Sequence, residues 1–274
     1  DFRSGINFPF PNTDGSGEAY LDDMEGVTLT VPLGVSAYQT WSLASAPTGV
    51  SPETRGYCSW FNPVEVQDKT KKKTLYPGIT DPDEKDDDVV TLELELSGDV
   101  ALATDPDTMR WAGIMRHLGE IDLSEKKYIE FYVHVSHEDS LMMHLDLGKY
   151  MSEDFYWHNG GLNVLNKEDD DLGLLDYGLD GIADGEPDDD IHDQFDNKRK
   201  GNPFMLYPYA NGSEGNGKFD TEDLNGNGYL DLEQGYYQIS LNLNADNCPY
   251  LVNEVQGWRL FRIPLADTSM IKSQ

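Results

Sequence analysis

The residues best suited to chemistry in this sequence are oxygen donors set two apart around glycines. From Asp223 the chain reads Asp, Leu, Asn, Gly, Asn, Gly, Tyr, Leu, Asp, Leu, Glu, so side-chain oxygens recur at Asp223, Asn225, Asn227 and Asp231, with Glu233 beyond them. Calcium is a hard cation that takes about six to eight oxygens, and a short segment can wrap it only if carboxylates and amides alternate and a glycine allows a sharp turn. With Asp223 as position 1 of such a loop, oxygens fall at positions 3, 5 and 9, Gly228 falls at the turn and the Tyr229 carbonyl falls at position 7. An EF-hand places glutamate at position 12, but Gln234 stands there and Glu233 comes one residue early. That departure points to the compact calcium loops of extracellular repeats rather than to a helix-loop-helix hand.

The pattern echoes upstream. Glu214, Asn216, Gly217 and Asp220 repeat it eleven residues earlier, giving Asn-Gly-Lys-Phe-Asp beside Asn-Gly-Tyr-Leu-Asp. Asp176, Asp180, Gly181, Asp184 and Glu186 form another version, and Glu168, Asp170, Gly173 and Asp176 a weaker one. Asp188, Asp189 and Asp190 add ligands or only repel. A block of like charge with flexible glycines would by itself mean a solvated, disordered insertion. Against that, an apolar residue precedes the aspartate each time, at Leu175, Ala183, Phe219 and Leu230, a register that a disordered tail has no reason to keep. The expectation is several calcium ions. Magnesium keeps its waters and suits flexible all-protein ligand sets poorly, and zinc wants His or Cys clusters where only His192 stands.

The elements that must position these loops read as strands. Gly and Pro punctuate the chain at short intervals, and the apolar stretches between them alternate instead of recurring at helical spacing. Val89 to Leu96 places Val90, Leu92, Leu94 and Leu96 on one face; Tyr128 to Val135, Leu141 to Leu147 and Trp258 to Leu265 follow, with Val27 to Val31, Tyr57 to Phe61 and Tyr236 to Leu243 as further candidates. No amphipathic helix of convincing length intervenes. The expectation is an all-β chain, a jelly-roll (galactose-binding-like) β-sandwich over residues 1–274 with the acidic calcium-loop region, residues 163–235, inserted between strands. Asp68 to Asp88 begins basic and ends acidic, and reads as a solvated, mobile hairpin tip.

The 274 residues carry a formal net charge of −31, from 51 acidic and 20 basic side chains, which favours a cationic counterpart such as metal ions. Nucleic acid and anionic membrane surfaces are disfavoured as partners because both need basic patches. No apolar run approaches the roughly 20 residues of a membrane helix, and Asp1 to Gly5 do not read as a secretory signal, as expected of a mature fragment or excised domain. Cys58 and Cys248 fit either one bridge in an oxidising compartment or two separately buried thiols. No Gly-x-Ser-x-Gly elbow, phosphate loop or His-Glu-x-x-His motif is present, and the carboxylates are too many to single out a catalytic pair. His117, His134, His137, His144, His158 and His192 are scattered, and Trp41, Trp60, Trp111, Trp157 and Trp258 read first as core and second as a sugar platform.

Two resemblances add to this reading. Tyr20-Leu-Asp-Asp-Met-Glu-Gly26 looks like the first strand of carbohydrate-binding jelly rolls, where an acidic pair contributes to a structural calcium site; this implies Asp23 and Glu25 as ligands. Trp41-Ser-Leu-Ala-Ser-Ala-Pro47, Arg110-Trp-Ala-Gly-Ile-Met-Arg116, Leu147-Gly-Lys-Tyr-Met-Ser-Glu-Asp154, Tyr177-Gly-Leu-Asp-Gly-Ile-Ala-Asp184, Glu222 to Asp231 and Gly257 to Leu265 together resemble, in order and spacing, a segment of the SprA/Sov family. Those are giant outer-membrane translocons of type IX secretion, linked in some bacteria to gliding motility. The resemblance implies a soluble, non-catalytic region at the cell surface, not itself inserted in the membrane, whose partners are other regions of a large translocon or secreted proteins. A secreted carbohydrate-binding module, with a glycan as partner, is the alternative; a glycoside hydrolase or lyase on the same scaffold is a third.

Overall fold

The computed structural model describes residues 33, 37–63, 69–97, 111–119, 121, 126–136, 141–156, 164–168, 177–179, 182, 198–199, 202–206, 211–212, 217–265 and 271–272. The chain divides into two compact units, Asp1–Gly34 and Val35–Gln274. The expected strand Val27 to Val31, and Asp23 and Glu25, lie outside the described residues.

The described structure is mostly strand, with two single-turn α-helices, Lys72–Leu75 and Pro82–Lys85. The strands are β1 (Ser42–Leu43), β2 (Tyr57–Phe61), β3 (Thr70–Lys71), β4 (Asp88–Val89), β5 (Glu93–Ser97), β6 (Ile114–Met115), β7 (Tyr128–His134), β8 (Met142–Tyr150), β9 (Lys198–Arg199), β10 (Asn202–Leu206), β11 (Gly235–Asn242), β12 (Leu251–Val255), β13 (Trp258–Pro264) and β14 (Ile271–Lys272).

Two three-stranded antiparallel sheets, ordered β14-β11-β8 and β12-β13-β7, hold the larger part of the pairing. Period-two alternation explains why they meet. Met143, Leu145 and Leu147 stand on one face of β8, and they join Ile239 and Leu241 of β11 and Phe131, Val133, Phe261 and Ile263 of β7 and β13 in one apolar cluster. Phe131 and Phe261 stack with centroids 5.9 Å apart. β8 and β11 are direct neighbours although residues 151–234 run between them, so that stretch leaves and re-enters a single pair of strands. Its exit is a bulge where Gly148 meets Gly235 and Tyr236; a Cβ on Gly148 would lie 2.7 Å from the Tyr236 Cα.

A second cluster forms beside the short pairs β1-β6 and β2-β5. It gathers Leu43, Cys58, Trp60 and Met115 with Phe155, Tyr156 and Leu179, and Leu224 packs against it. Parts of the acidic stretch are therefore core residues. Cys58 lies in this cluster and Cys248 packs on the other, and no disulfide joins them.

Val89 to Leu96 departs from the expected single strand with one inward face. It splits into β4 and β5, and while Leu92 packs on the second cluster, Val90, Leu94 and Leu96 are exposed. Strand β5 pairs only with β2 among the described residues, so alternation there marks an edge and not a core. The expected hairpin tip is exposed, and its basic and acidic arms face each other: Lys71 pairs with Asp88, Lys72 with Glu84 and Asp87, and Lys73 with Asp86. Leu75 is buried beneath it, and the Tyr132 hydroxyl of β7 donates to the Leu75 carbonyl.

Candidate metal centre and its carboxylate clasp

The segment from Asp223 to Asp231 is a tight loop in which Gly226 and Gly228 take φ of +73° and +83°, a region that side chains with a Cβ rarely enter. The polar side chains fold onto the loop's own backbone. The two Asp223 oxygens accept from Asn227 N (2.9 Å) and Gly228 N (2.7 Å), and Asn227 Oδ1 accepts from Tyr229 N (2.8 Å). Asn225 Nδ2 and Asn227 Nδ2 both donate to Asp231 Oδ2, at 2.7 and 3.0 Å. Alternate spacing thus brings Asn225, Asn227 and Asp231 together, with Asp223 gripping the turn.

The loop is held from inside by Glu153, which follows β8 and is buried. Its Oε1 accepts from Leu224 N and Asn225 N (3.1 and 3.2 Å), its Oε2 from Asp231 N (3.3 Å), and its own N–H donates to the Asp231 carbonyl (2.8 Å). One carboxylate therefore ties both ends of the loop to the end of a core strand. Burial pushes the Glu153 carboxyl up from its ordinary value and the charges of Asp231 and Asp223 add to this, while the backbone N–H groups pull it back.

Two further buried glutamates repeat the device. Glu222 is fully buried; Oε1 accepts from Tyr156 N at 2.7 Å, and Oε2 from Asn166 N and Nδ2 at 3.0 and 2.9 Å. Burial pushes its carboxyl up to about 7, against the pull of those N–H groups. Glu168 accepts from Gly178 N (3.0 Å) and Asp220 N (2.8 Å), and backbone bonds Glu168 N to Asp220 O and Glu222 N to Asn166 O zip the two segments. Buried Asn211 joins Thr221 to Ser42 of β1. Asp220, fully buried, lies near Lys218, whose ammonium burial pushes down in pKa while Asp220 pulls it up.

No family model, curated protein or solved structure matches this chain.

Of the residues the sequence singles out, Asp223, Asn225, Asn227 and Asp231 come together in one loop. Tyr229 projects its ring into solvent, 75% exposed, and Glu233 is exposed beyond the loop. Gln234 turns away, accepting from Thr48 Oγ1 (2.6 Å) and donating to the Ala46 carbonyl (3.2 Å). Asp220 belongs to the Glu168 segment and not to the loop. Glu214, Asn216, Asp170, Asp176, Asp180, Asp184 and Glu186 lie outside the described residues. Among the described residues no three His, Cys, Asp or Glu side chains gather at one point; the loop offers two carboxylates and two amides.

Glu153, Glu222 and the clasping role of Glu168 escape the sequence reading. Spacing rules find ligands that alternate in one loop, whereas Glu153 reaches its loop from 70 and more positions away. A raised carboxyl such as that of Glu222 is what a general acid needs, yet both its oxygens are spent on backbone N–H groups and no surface reaches a substrate.

Proposed function

We propose that this chain is a non-catalytic, calcium-stabilised domain of a cell-surface protein, built as a jelly-roll β-sandwich and acting within a SprA/Sov-like type IX translocon. The observation that carries the calcium reading is the convergence of Asn225, Asn227 and Asp231 above Asp223, with only oxygen-bearing side chains, as a hard cation prefers. Those residues fit calcium on one condition. Both amides present nitrogen to Asp231, so ion binding requires them to turn their oxygens inward. Glu153 would then brace the loop from behind, as a clasp and not as a ligand.

Two apolar-faced sheets around one cluster support the sandwich, and the motifs from Leu147 to Asp154 and from Glu222 to Asp231 coincide with the bulge, the clasp and the loop. Function would be to shape or contact the mouth of a protein-conducting pore. Limited proteolysis with and without chelator tests the calcium part: chelation should open residues 163–233 to cleavage, and equal digestion patterns would reject it. Protease shaving of intact cells tests location, since an epitope on this segment that survives shaving but not lysis would contradict surface exposure.

A further inference from the structure

The outward face of an antiparallel sheet is ordinarily polar, because it meets water. The outer face of β7 and β13 instead mixes aromatic rings with one charged pair. Their register pairs Tyr128 with Pro264, Glu130 with Arg262, Tyr132 with Leu260 and His134 with Trp258, on the side opposite the core residues Phe131 and Phe261. Tyr128 is 52% exposed, and Tyr76, carried across this face by the charged hairpin, is 47% exposed.

The rings are fixed in place before any ligand arrives. Tyr76 meets Tyr132 edge-on at 5.8 Å between centroids, and the Tyr132 hydroxyl is tethered to the Leu75 carbonyl. Trp258 lies 5.4 Å from His134, whose ring is backed by Gly257, where a Cβ would come 3.1 Å from Nε2. Between these rings Arg262 Nε and Glu130 Oε1 pair at 2.5 Å, and the guanidinium stands 5.5 Å from the Tyr128 centroid. Rigid rings lower the ordering cost of binding.

We propose that this face binds a neutral polysaccharide, with exposed Tyr128 and Tyr76 and half-buried Trp258 stacking on sugar faces and the Glu130–Arg262 pair hydrogen-bonding the hydroxyls between them. A sugar ring offers an apolar C–H face and a rim of hydroxyls that both donate and accept. The rings match the first; a carboxylate acceptor beside a guanidinium donor matches the second. Charge selects within this class. The chain carries −31, which repels nucleic acid and polyuronates, while on this face the one acid, Glu130, and the one base, Arg262, pair with each other. None of the residues of this face belongs to the Asp223 loop or to its clasp, so the proposal stands apart from the calcium reading.

Affinity electrophoresis of the full chain through gels holding mixed-linkage β-glucan, xyloglucan, galactomannan or pullulan, with alginate as the anionic comparison, tests it. Retardation by at least one neutral polymer is expected, weakened about tenfold, the equivalent of one stacked ring, in Tyr128→Ala and Trp258→Ala. Tyr128→Phe should retain binding because it keeps the ring. Tyr237→Ala, an exposed tyrosine of the other sheet, should bind as the parent does. Thermal melting of each variant shows that it is folded, and repetition in chelator separates this face from any calcium effect. Free migration of the folded parent through every neutral polymer, retardation by alginate alone, or undiminished retardation of both alanine variants would overturn the proposal.

Discussion

Glu222 brings a carboxylate to a place that water does not reach and surrounds it with three N–H donors, from Tyr156 N, Asn166 N and Asn166 Nδ2. An unpaired buried donor costs about 1–3 kcal/mol, so Glu222→Leu, which fills similar space without an acceptor, should lower stability by roughly 3 kcal/mol or more in urea unfolding. A variant as stable as the parent would mean that the clasp is ornamental. The same residue has a pH signature. Its carboxyl rises from 4.5 in the unfolded chain to about 7 in the fold, so its contribution is fully present below 4.5 and fades as pH climbs to 7. Relative to Glu222→Gln, which does not titrate, the parent should lose up to roughly 3 kcal/mol across that window, two and a half units at about 1.4 kcal/mol each. A flat difference between the two urea midpoints over this range would show that the carboxyl is solvated. Gly148→Ala is a purely steric counterpart: with the Tyr236 backbone 2.7 Å from the new Cβ, the β8–β11 bulge must open, at a cost of about 1–3 kcal/mol.

The β12–β13 hairpin shows how an element answers to its turn. Val255 pairs with Trp258, and the two residues between them, Gln256 and Gly257, have φ of +49° and +81°. Positive φ at both central positions is a type I′ turn, which matches the strand twist and favours Asn-Gly. Gln256 is the strained member, so Gln256→Asn should raise the melting point by the equivalent of about 0.5–1 kcal/mol. A fall would mean that the Gln256 side chain makes a contact that outweighs the backbone strain. Strands with one core face were legible in sequence: Tyr57–Phe61 was found to the residue, and β7, β8, β11 and β13 to within about three residues at their ends. Edge strands were not, since Leu94 and Leu96 alternate like core residues yet stand exposed on a strand that pairs only with β2 among the described residues. The loop's convergence was legible because alternation is local; the clasps were not, because Glu153 and Glu222 act on N–H groups that only the folded chain brings near.

Across the whole molecule, a charge of −31 opposes the folding of a stretch that already buries Glu153, Glu168, Glu222 and Asp220. Two kinds of cation effect could relieve this, and they differ measurably. Diffuse screening depends on ionic strength and saturates gradually, with a Debye length of about 8 Å near physiological salt, and it does not distinguish one divalent ion from another. A bound ion stabilises by mass action, so stability keeps rising with the logarithm of its concentration above Kd, by about 1.4 kcal/mol per decade per site. Calcium titrated at fixed ionic strength should therefore raise the melting temperature logarithmically, with magnesium at equal concentration giving much less. Asp223→Ala should blunt the calcium response more than Asp190→Ala, because Asp223 grips the turn on which Asn225, Asn227 and Asp231 converge. If calcium, magnesium and equivalent sodium chloride produce one common curve, or if both variants respond alike, the acidic stretch is relieved by the ion atmosphere alone and the loop holds no ion.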